Sequence, residues 1–522
     1  MSKDAAAGMR LDLEPTTRAM ARGAAVNLGG AMLANVLALA FNFVITHVVS
    51  AGRFGLLSIG LTVVSLATIP SLLGLETGTV RFVALGAGAK DERAAAGAQQ
   101  VSLILATAAS LALTVAIFAL SPWISTSFFH KPEAASLMRL VAFSLPALVL
   151  GRVIVAGIQG YGIMTYSAWL GPLRNVVNLA TAVPLLAVGL GARGLAIAGD
   201  ITAWVITVIA LVFLIKVHPR VLDMRGTPKQ FGRILRFSLP QTLTAMLFFT
   251  IVWTDTLLVG RFRTAAEVGV YTIVGRLLTP ATLVSTAIGQ MFAPRIAAHD
   301  ARGDRGTLSM MLKRVTYWNT AVSIPFFTML IVAATPLLAL FGPKYKSGAT
   351  ALAILAAGQL INTAAGPLGQ VINLSGRPYI TLMNNGLVAA INIGVCIVLI
   401  PRYGLAGAAT GTATALTLVN AIKLVEVRVI FKMSPFRVDS ARAFAAAAVS
   451  CACALPLVLA VPWPNTVIEV VVVTALLFVA YLRLTLLFGM SDEDKQLFDA
   501  GIARFKRRRR VTATAVRGEV GA

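Results

Sequence analysis

Twelve charged side chains stand inside stretches of this chain that are otherwise apolar over a bilayer's width: Arg81, Arg139, Arg152, Arg174, Arg276, Lys423 and Arg483, with Glu76, Asp200, Asp255, Glu426 and Glu469. A charge in hydrocarbon costs about 2.5–3.5 kcal/mol on insertion scales, so such residues face a cavity or a partner. Arg139, Arg483 and Lys423 lie close enough to the ends of their runs to snorkel. Glu426 follows Lys423 by three residues, the spacing of a local helical pair. Arg81, Arg152 and Arg174 all fall in the inner half of the first six runs. Arg152 and Arg174 are each about seven residues from the inner end, level with one another at roughly 10 Å depth. Arginine keeps its proton and offers a planar fork suited to phosphate oxygens. The chemistry on offer is therefore anion binding at a shared site, with structural pairing or snorkelling as the other account.

Polar residues at helical spacing extend this pattern. Arg276, in the outer half of the eighth run, is followed by Thr279, Thr286 and Gln290 on roughly one face, with Pro280 placed to bend it. Asp255 is its nearest partner by depth, and Gln241 shares the face of Asp255 on the seventh run. Gln359, Asn362, Gly366, Gln370 and Asn373 form one stripe on the tenth run. Such a stripe reads as a wet cavity wall, although helix–helix hydrogen bonding also accounts for it. Asn35, Asn42, Asn178 and Asn385 read as interhelical packing.

Catalytic groupings are missing. His47, His130, His218 and His299 are scattered, and Cys396, Cys451 and Cys453 all lie in apolar segments as small core residues. There is no Walker A run and no loop longer than about 23 residues to hold a catalytic domain. No cofactor or metal is expected. A membrane polysaccharide polymerase or ligase is the competing enzymatic class.

The elements that position these residues follow from composition. Of 522 residues, 57% are hydrophobic and 13% charged, against roughly 25% charged in soluble domains. Since about 20 apolar residues cross a bilayer, the chain is expected to be an all-α polytopic membrane protein of about fourteen spans. These lie at 24–49, 55–85, 99–120, 137–159, 167–189, 194–216, 237–259, 268–293, 317–341, 348–374, 380–400, 405–430, 443–461 and 465–489. The first run has no cleavage signature and reads as a retained helix. A net charge of +24 would suit nucleic acid, but its placement argues otherwise. About 30 of the Lys and Arg residues fall in segments on the N-terminal side of the membrane and eight in the opposite loops, which puts both termini in the cytoplasm.

The chain also repeats with an offset of 214 residues. FGLLSI at 54–59 corresponds to VGVYTI at 268–273, Gly55 to Gly269, Arg81 to Arg295, and Asn178 to Asn392; after a four-residue gap, GLAIAG at 194–199 parallels GLAGAA at 404–409. Two pseudo-symmetric six-helix lobes follow, 1–216 and 217–431, related by an axis along the membrane normal. Two extra C-terminal helices (432–490) and a basic cytoplasmic tail (491–522) lie outside the repeat. In the tail, Ser491 and Asp494 suit a capping box, and Phe498, Ile502 and Phe505 precede Lys506 and Arg507–Arg510. This pattern fits either an amphipathic helix on an anionic leaflet or a solvated basic tail.

FGPKYKSGATALAILAAGQLINTAAGPLGQVINLSGRP (341–378), LIPRYGLAGAATGTA (399–413), RFGLLSIGLTVVSL with GLETGTVRFVA (53–84) and TDTLLVGRFRTAAEVGVYTIVGRL (254–277) resemble the Wzx-type lipid-linked oligosaccharide flippases and polysaccharide exporters of the multidrug/oligosaccharidyl-lipid/polysaccharide (MOP) superfamily, over roughly residues 20–430. The resemblance implies that a polyprenyl-diphosphate-linked glycan is loaded at the inner face of a bacterial cytoplasmic membrane. It would be released outside by alternating access, for surface polysaccharide such as exopolysaccharide or O-antigen. It implies membrane lipids and a coupling ion (H+ or Na+) as further partners, and no nucleic acid. It implies diphosphate binding by cavity arginines: Arg81 and Arg276 resemble recurrent family positions, Arg152 and Arg174 less clearly so. Lipid II flippases and multidrug exporters share the fold and are the alternatives.

Overall fold

The structure, a computed structural model, describes residues 29–489 apart from 164, 223–230, 302–303, 375–377, 462 and 464. The capping box and basic edge of the tail lie outside the described residues. Among those described, all regular structure is helical. Eight described helices precede residues 223–230: α1 (Gly29–Val48), α2 (Ala51–Leu72), α3 (Leu75–Gly88), α4 (Glu92–Trp123), α5 (Ala134–Ala142), α6 (Ser144–Gly160), α7 (Thr165–Ala187) and α8 (Gly191–Val217). Nine follow it: α9 (Phe231–Phe262), α10 (Ala265–Ala301), α11 (Arg305–Val332), α12 (Ala334–Ala339), α13 (Ala349–Ala364), α14 (Leu368–Leu374), α15 (Pro378–Ile430), α16 (Val438–Ala460) and α17 (Thr466–Leu484).

Among the described residues, nine helical stretches are long and apolar enough to cross a membrane, one of which, Tyr379–Ile430, holds two of the expected spans. Their outward faces carry large apolar side chains, such as Val115 at 67% and Val429 at 70% exposure. Water would not tolerate so wide an apolar belt, and lipid does. The chain is a multi-pass membrane protein.

Two long runs break, and one long helix turns, where the backbone requires it. The second run is two helices, because Leu73 (φ 48°) and Gly74 (φ 66°) both adopt left-handed conformations between α2 and α3. The tenth run, expected as one helix, breaks at Gly366 (φ 79°) and Pro367 into α13 and α14. Helix α15 folds back on itself at Gly404 (φ 58°, ψ −131°), a conformation that only glycine adopts freely. After this turn Gly407 packs on the Leu399 carbonyl and Gly411 on Cys396 Sγ.

Helices α3, α4, α6 and α8 pack together, with α7 against α8; α9, α11, α13 and α15 form a second group, with α10 on α11. Helix α16 lies on α11, and α17 on α16 and α12. Between the groups α2 crosses α10 and packs on α9, and α3 also packs on α9. A Cβ on Gly55 would stand 1.6 Å from the Ala265 carbonyl oxygen, and one on Gly269 2.4 Å from that of Ala51. The two glycines matched by the 214-residue offset therefore face each other, as residues on a two-fold axis do. Buried Cys396 fits the expectation for a core cysteine, but Cys453 is exposed and Cys451 half-buried, because α16 packs on only part of its surface.

Candidate functional site

Arg81, Arg152 and Arg174 line one cavity of about 740 Å³ enclosed by α3, α6, α7 and α8, together with Glu76, Gln159 and Thr207. Each guanidinium is held differently. Arg152 Nε donates to Glu76 Oε1 at 2.7 Å. The carboxylate placed five residues before Arg81 thus pairs across helices, because i,i+5 side chains diverge on a helix. Arg81 instead covers the Phe237 ring of α9 at 4.5 Å, and Phe237 meets Phe82 edge-on. Arg174 has no carboxylate pair among the described residues. It also lines a second cavity of about 520 Å³, shared with Asn42, Asn178, Asp200, Arg276 and Thr279. One guanidinium thus borders both chambers.

Arg276 donates through Nη1 to Asn42 Oδ1 of α1 and stacks over Phe54 at 5.6 Å. Asp255, expected beside it, lies elsewhere. It is buried at 7% exposure and accepts from Tyr271 Oη at 2.7 Å, Thr412 Oγ1 at 3.2 Å and the Thr256 amide at 2.6 Å. Its partners place Asp255 in the α9–α10–α15 contact, away from Arg276, and it lines none of the cavities described here. Of the face following Arg276, Thr279 lines the second cavity and Thr286 is exposed; the Gln290 side chain lies outside what is described.

The amide stripe borders a third cavity of about 570 Å³, lined by Gln241, Asn362, Gly366, Gln370, Asn373, Asn385, Asn420 and Lys423. Gln359 is the exception: its Oε1 accepts from Asn362 Nδ2 at 3.2 Å and it does not line the wall. The break at Gly366 turns α14, so the stripe continues as two offset faces. The expected Lys423–Glu426 pair is not formed. Glu426 accepts from Asn384 at 2.8 Å, and Lys423 borders the cavity. Glu76, Thr77 and Arg152 line both the first and third cavities, which therefore adjoin. Sequence reading missed Asn420, Gln159 and Thr207. Asn420, three residues before Lys423 on one helical face, carried the only usable signal.

At the opposite end the two helix groups are tied together. Lys131 donates to the carbonyls of Phe129 (3.0 Å) and Gly260 (2.6 Å) at the end of α9. Burial, then the nearby Arg261, holds its ammonium pKa below the usual lysine value. Arg261 Nη1 donates to the His130 ring, and the Phe129 ring sits against Gly260. Arg139, expected to snorkel, donates to Ser121 Oγ at 2.9 Å.

A polysaccharide biosynthesis protein family matches residues 44–349, more than half of the chain. The probable flippase AglR of Haloferax volcanii is 22% identical over 76% of this chain and 81% of its own. Among solved structures, the lipid II flippase MurJ in an inward closed conformation superposes with TM-score 0.67 at 14% identity, over 86% of this chain and 97% of that one. An inward-facing multidrug resistance transporter of the MATE family in the MOP superfamily gives TM-score 0.62 at 16% identity, over 76% and 98%. The fold is thus that of the MOP transporters. By its match over residues 44–349, this chain belongs to the polysaccharide biosynthesis protein family.

Proposed function

We propose that the protein is a flippase, not an enzyme, that moves a polyprenyl-diphosphate-linked glycan from the cytoplasmic to the outer leaflet of a bacterial cytoplasmic membrane by alternating access. The observation that carries this reading is the cluster of Arg81, Arg152 and Arg174 on one cavity buried among membrane helices, in a chain of a polysaccharide biosynthesis family. Three permanent cations against one carboxylate make the chamber electropositive, which suits a diphosphate and disfavours the cationic drugs a multidrug exporter would carry. The name of the relative, a probable flippase, supports the same reading.

In this scheme Arg81, Arg152 and Arg174 receive the diphosphate from the cytoplasm. Arg174 borders both chambers and passes it toward Arg276 on the outer side. Residues 1–216 and 217–431 act as two lobes rocking about the Gly55–Gly269 crossing, which the facing of those glycines supports. Both termini lie in the cytoplasm, supported by the uneven placement of Lys and Arg. H+ or Na+ is the candidate coupling ion.

Deleting the gene in its own host and following both leaflets tests the reading. Surface polysaccharide should be lost while lipid-linked oligosaccharide accumulates on the inner leaflet, and drug susceptibility should stay unchanged. Unchanged polysaccharide with raised drug susceptibility would place the protein among the exporters instead.

A further inference from the structure

The chambers differ in chemistry in a way that the diphosphate does not explain. Where the first presents three guanidinium groups, the third presents mainly carboxamides: Gln241, Asn362, Gln370, Asn373, Asn385 and Asn420 line it, with the cation Lys423 and with Arg152 and Glu76, which it shares with the first chamber. Only two of the six are hydrogen-bonded to each other, through Asn420 Nδ2 to Asn362 Oδ1 at 2.9 Å. Gln370 Oε1 is buried with no hydrogen-bond partner among the described residues. An unpaired buried carbonyl oxygen costs about 1–3 kcal/mol; the Gln370 carboxamide lies against Gly289 of α10 at the chamber wall, and interhelical hydrogen bonding, the ordinary account of amides in membrane helices, leaves its oxygen without a partner among the described residues. The volume, about 570 Å³, lies within the ~300–1,000 Å³ range of ligand sites.

We infer that this chamber is the glycan subsite, holding the hydroxyl-rich, mainly uncharged sugars of the cargo while its diphosphate lies among the arginines of the adjoining chamber. Each carboxamide carries two donors and an acceptor, so a wall of six meets sugar hydroxyls, which also donate and accept, in many orientations. A wall of charges would select one. That tolerance suits an oligosaccharide of several residues. Lys423, at the chamber edge, matches an acidic or acylated sugar. The shared lining by Glu76, Thr77 and Arg152 makes the two subsites continuous, as a diphosphate joined directly to its first sugar requires. The inference rests on the flippase reading and assigns the two parts of one cargo to the two lobes.

The test uses full-length protein in nanodiscs and two probes: undecaprenyl diphosphate, and lipid-linked oligosaccharide extracted from the membranes of the host strain. The wild type should bind the glycolipid at least tenfold more tightly than undecaprenyl diphosphate. Gln370→Met and Asn373→Leu, close in volume to the native residues, should each remove about tenfold of the glycolipid affinity and leave undecaprenyl diphosphate within twofold. Gln241→Met, on the other side of the chamber, serves should either variant misfold. Equal binding of both probes by the wild type, or amide variants that lose both probes alike or neither, overturns the glycan subsite. If undecaprenyl diphosphate fails to bind, or Arg174→Ala leaves its affinity unchanged, the flippase reading falls and the subsite with it.

Discussion

Arg152 and Arg174 illustrate how two residues of equal depth acquire different roles. Arg152 shares its charge with Glu76 at 2.7 Å, with both side chains about 40% exposed. An ion pair that open to solvent is worth at most about 1 kcal/mol. Glu76→Gln should therefore leave thermal stability nearly unchanged and raise undecaprenyl diphosphate affinity a few-fold by freeing Arg152, as a binding titration with purified protein would reveal. Arg174 has no carboxylate to compete for it among the described residues. Its replacement by Ala removes a charge-assisted contact of about 1.5–3 kcal/mol, so export should fall roughly 10- to 100-fold at normal protein abundance. Lysine should restore it only in part, because an ammonium lacks the planar fork. A complementation assay for surface polysaccharide, with immunoblotting for protein level, distinguishes these outcomes; full export by Arg174→Ala would remove it from the pathway.

Helix breaks set the shape of the chambers. The turn at Gly404 holds a backbone conformation that costs other residues about 1–3 kcal/mol, so Gly404→Ala should lower the thermal midpoint by several degrees in detergent. An unchanged midpoint would mean the turn relaxes without strain. The α2–α10 crossing is tighter still, since a Cβ at Gly55 would overlap the Ala265 carbonyl. Gly55→Val must push the two helices apart at this crossing. Export should fall by an order of magnitude or more, while insertion, which depends on the hydrophobicity of each span, persists. Normal export by this variant would show that the crossing opens freely and is not the pivot of transport.

Across the whole molecule, one end of the contact between the two helix groups is closed by Lys131 on Gly260 and by Phe129 against the same residue. Lys131→Met removes both donated hydrogen bonds, so the population with this end open should rise. A cysteine at Thr279, which lines the second chamber, should then label faster from outside the cell in Lys131→Met than in the wild type; equal rates would show that other contacts hold the closure. The same chemistry tests orientation. With Cys396, Cys451 and Cys453 replaced, cysteines at the exposed positions Glu133 and Lys344 should react in intact cells. Those at Arg93 and Arg305 should react only after permeabilisation. Labelling of Arg305→Cys from outside would invert the map.

Hydropathy and charge placement along the chain determined that the protein is a helical membrane protein, because the bilayer acts on each span separately and on the loops beside it. The 214-residue offset paired Gly55 with Gly269 from spacing alone, and those two glycines meet where α2 crosses α10. Counting from the span ends set Arg152 and Arg174 level, with Arg81 in the same half, and helix periodicity put most of the amide stripe on one wall. What remained was rotation about the helix axes and the choice of partner across them. Asp255, expected beside Arg276, faces Tyr271 and Thr412, and Glu76 passes over Arg81 to reach Arg152. Gly366 and Pro367 split a span whose composition is continuous. Depth is a property of one helix and can be counted along the sequence. Facing is a property of two helices, and only their packing decides it.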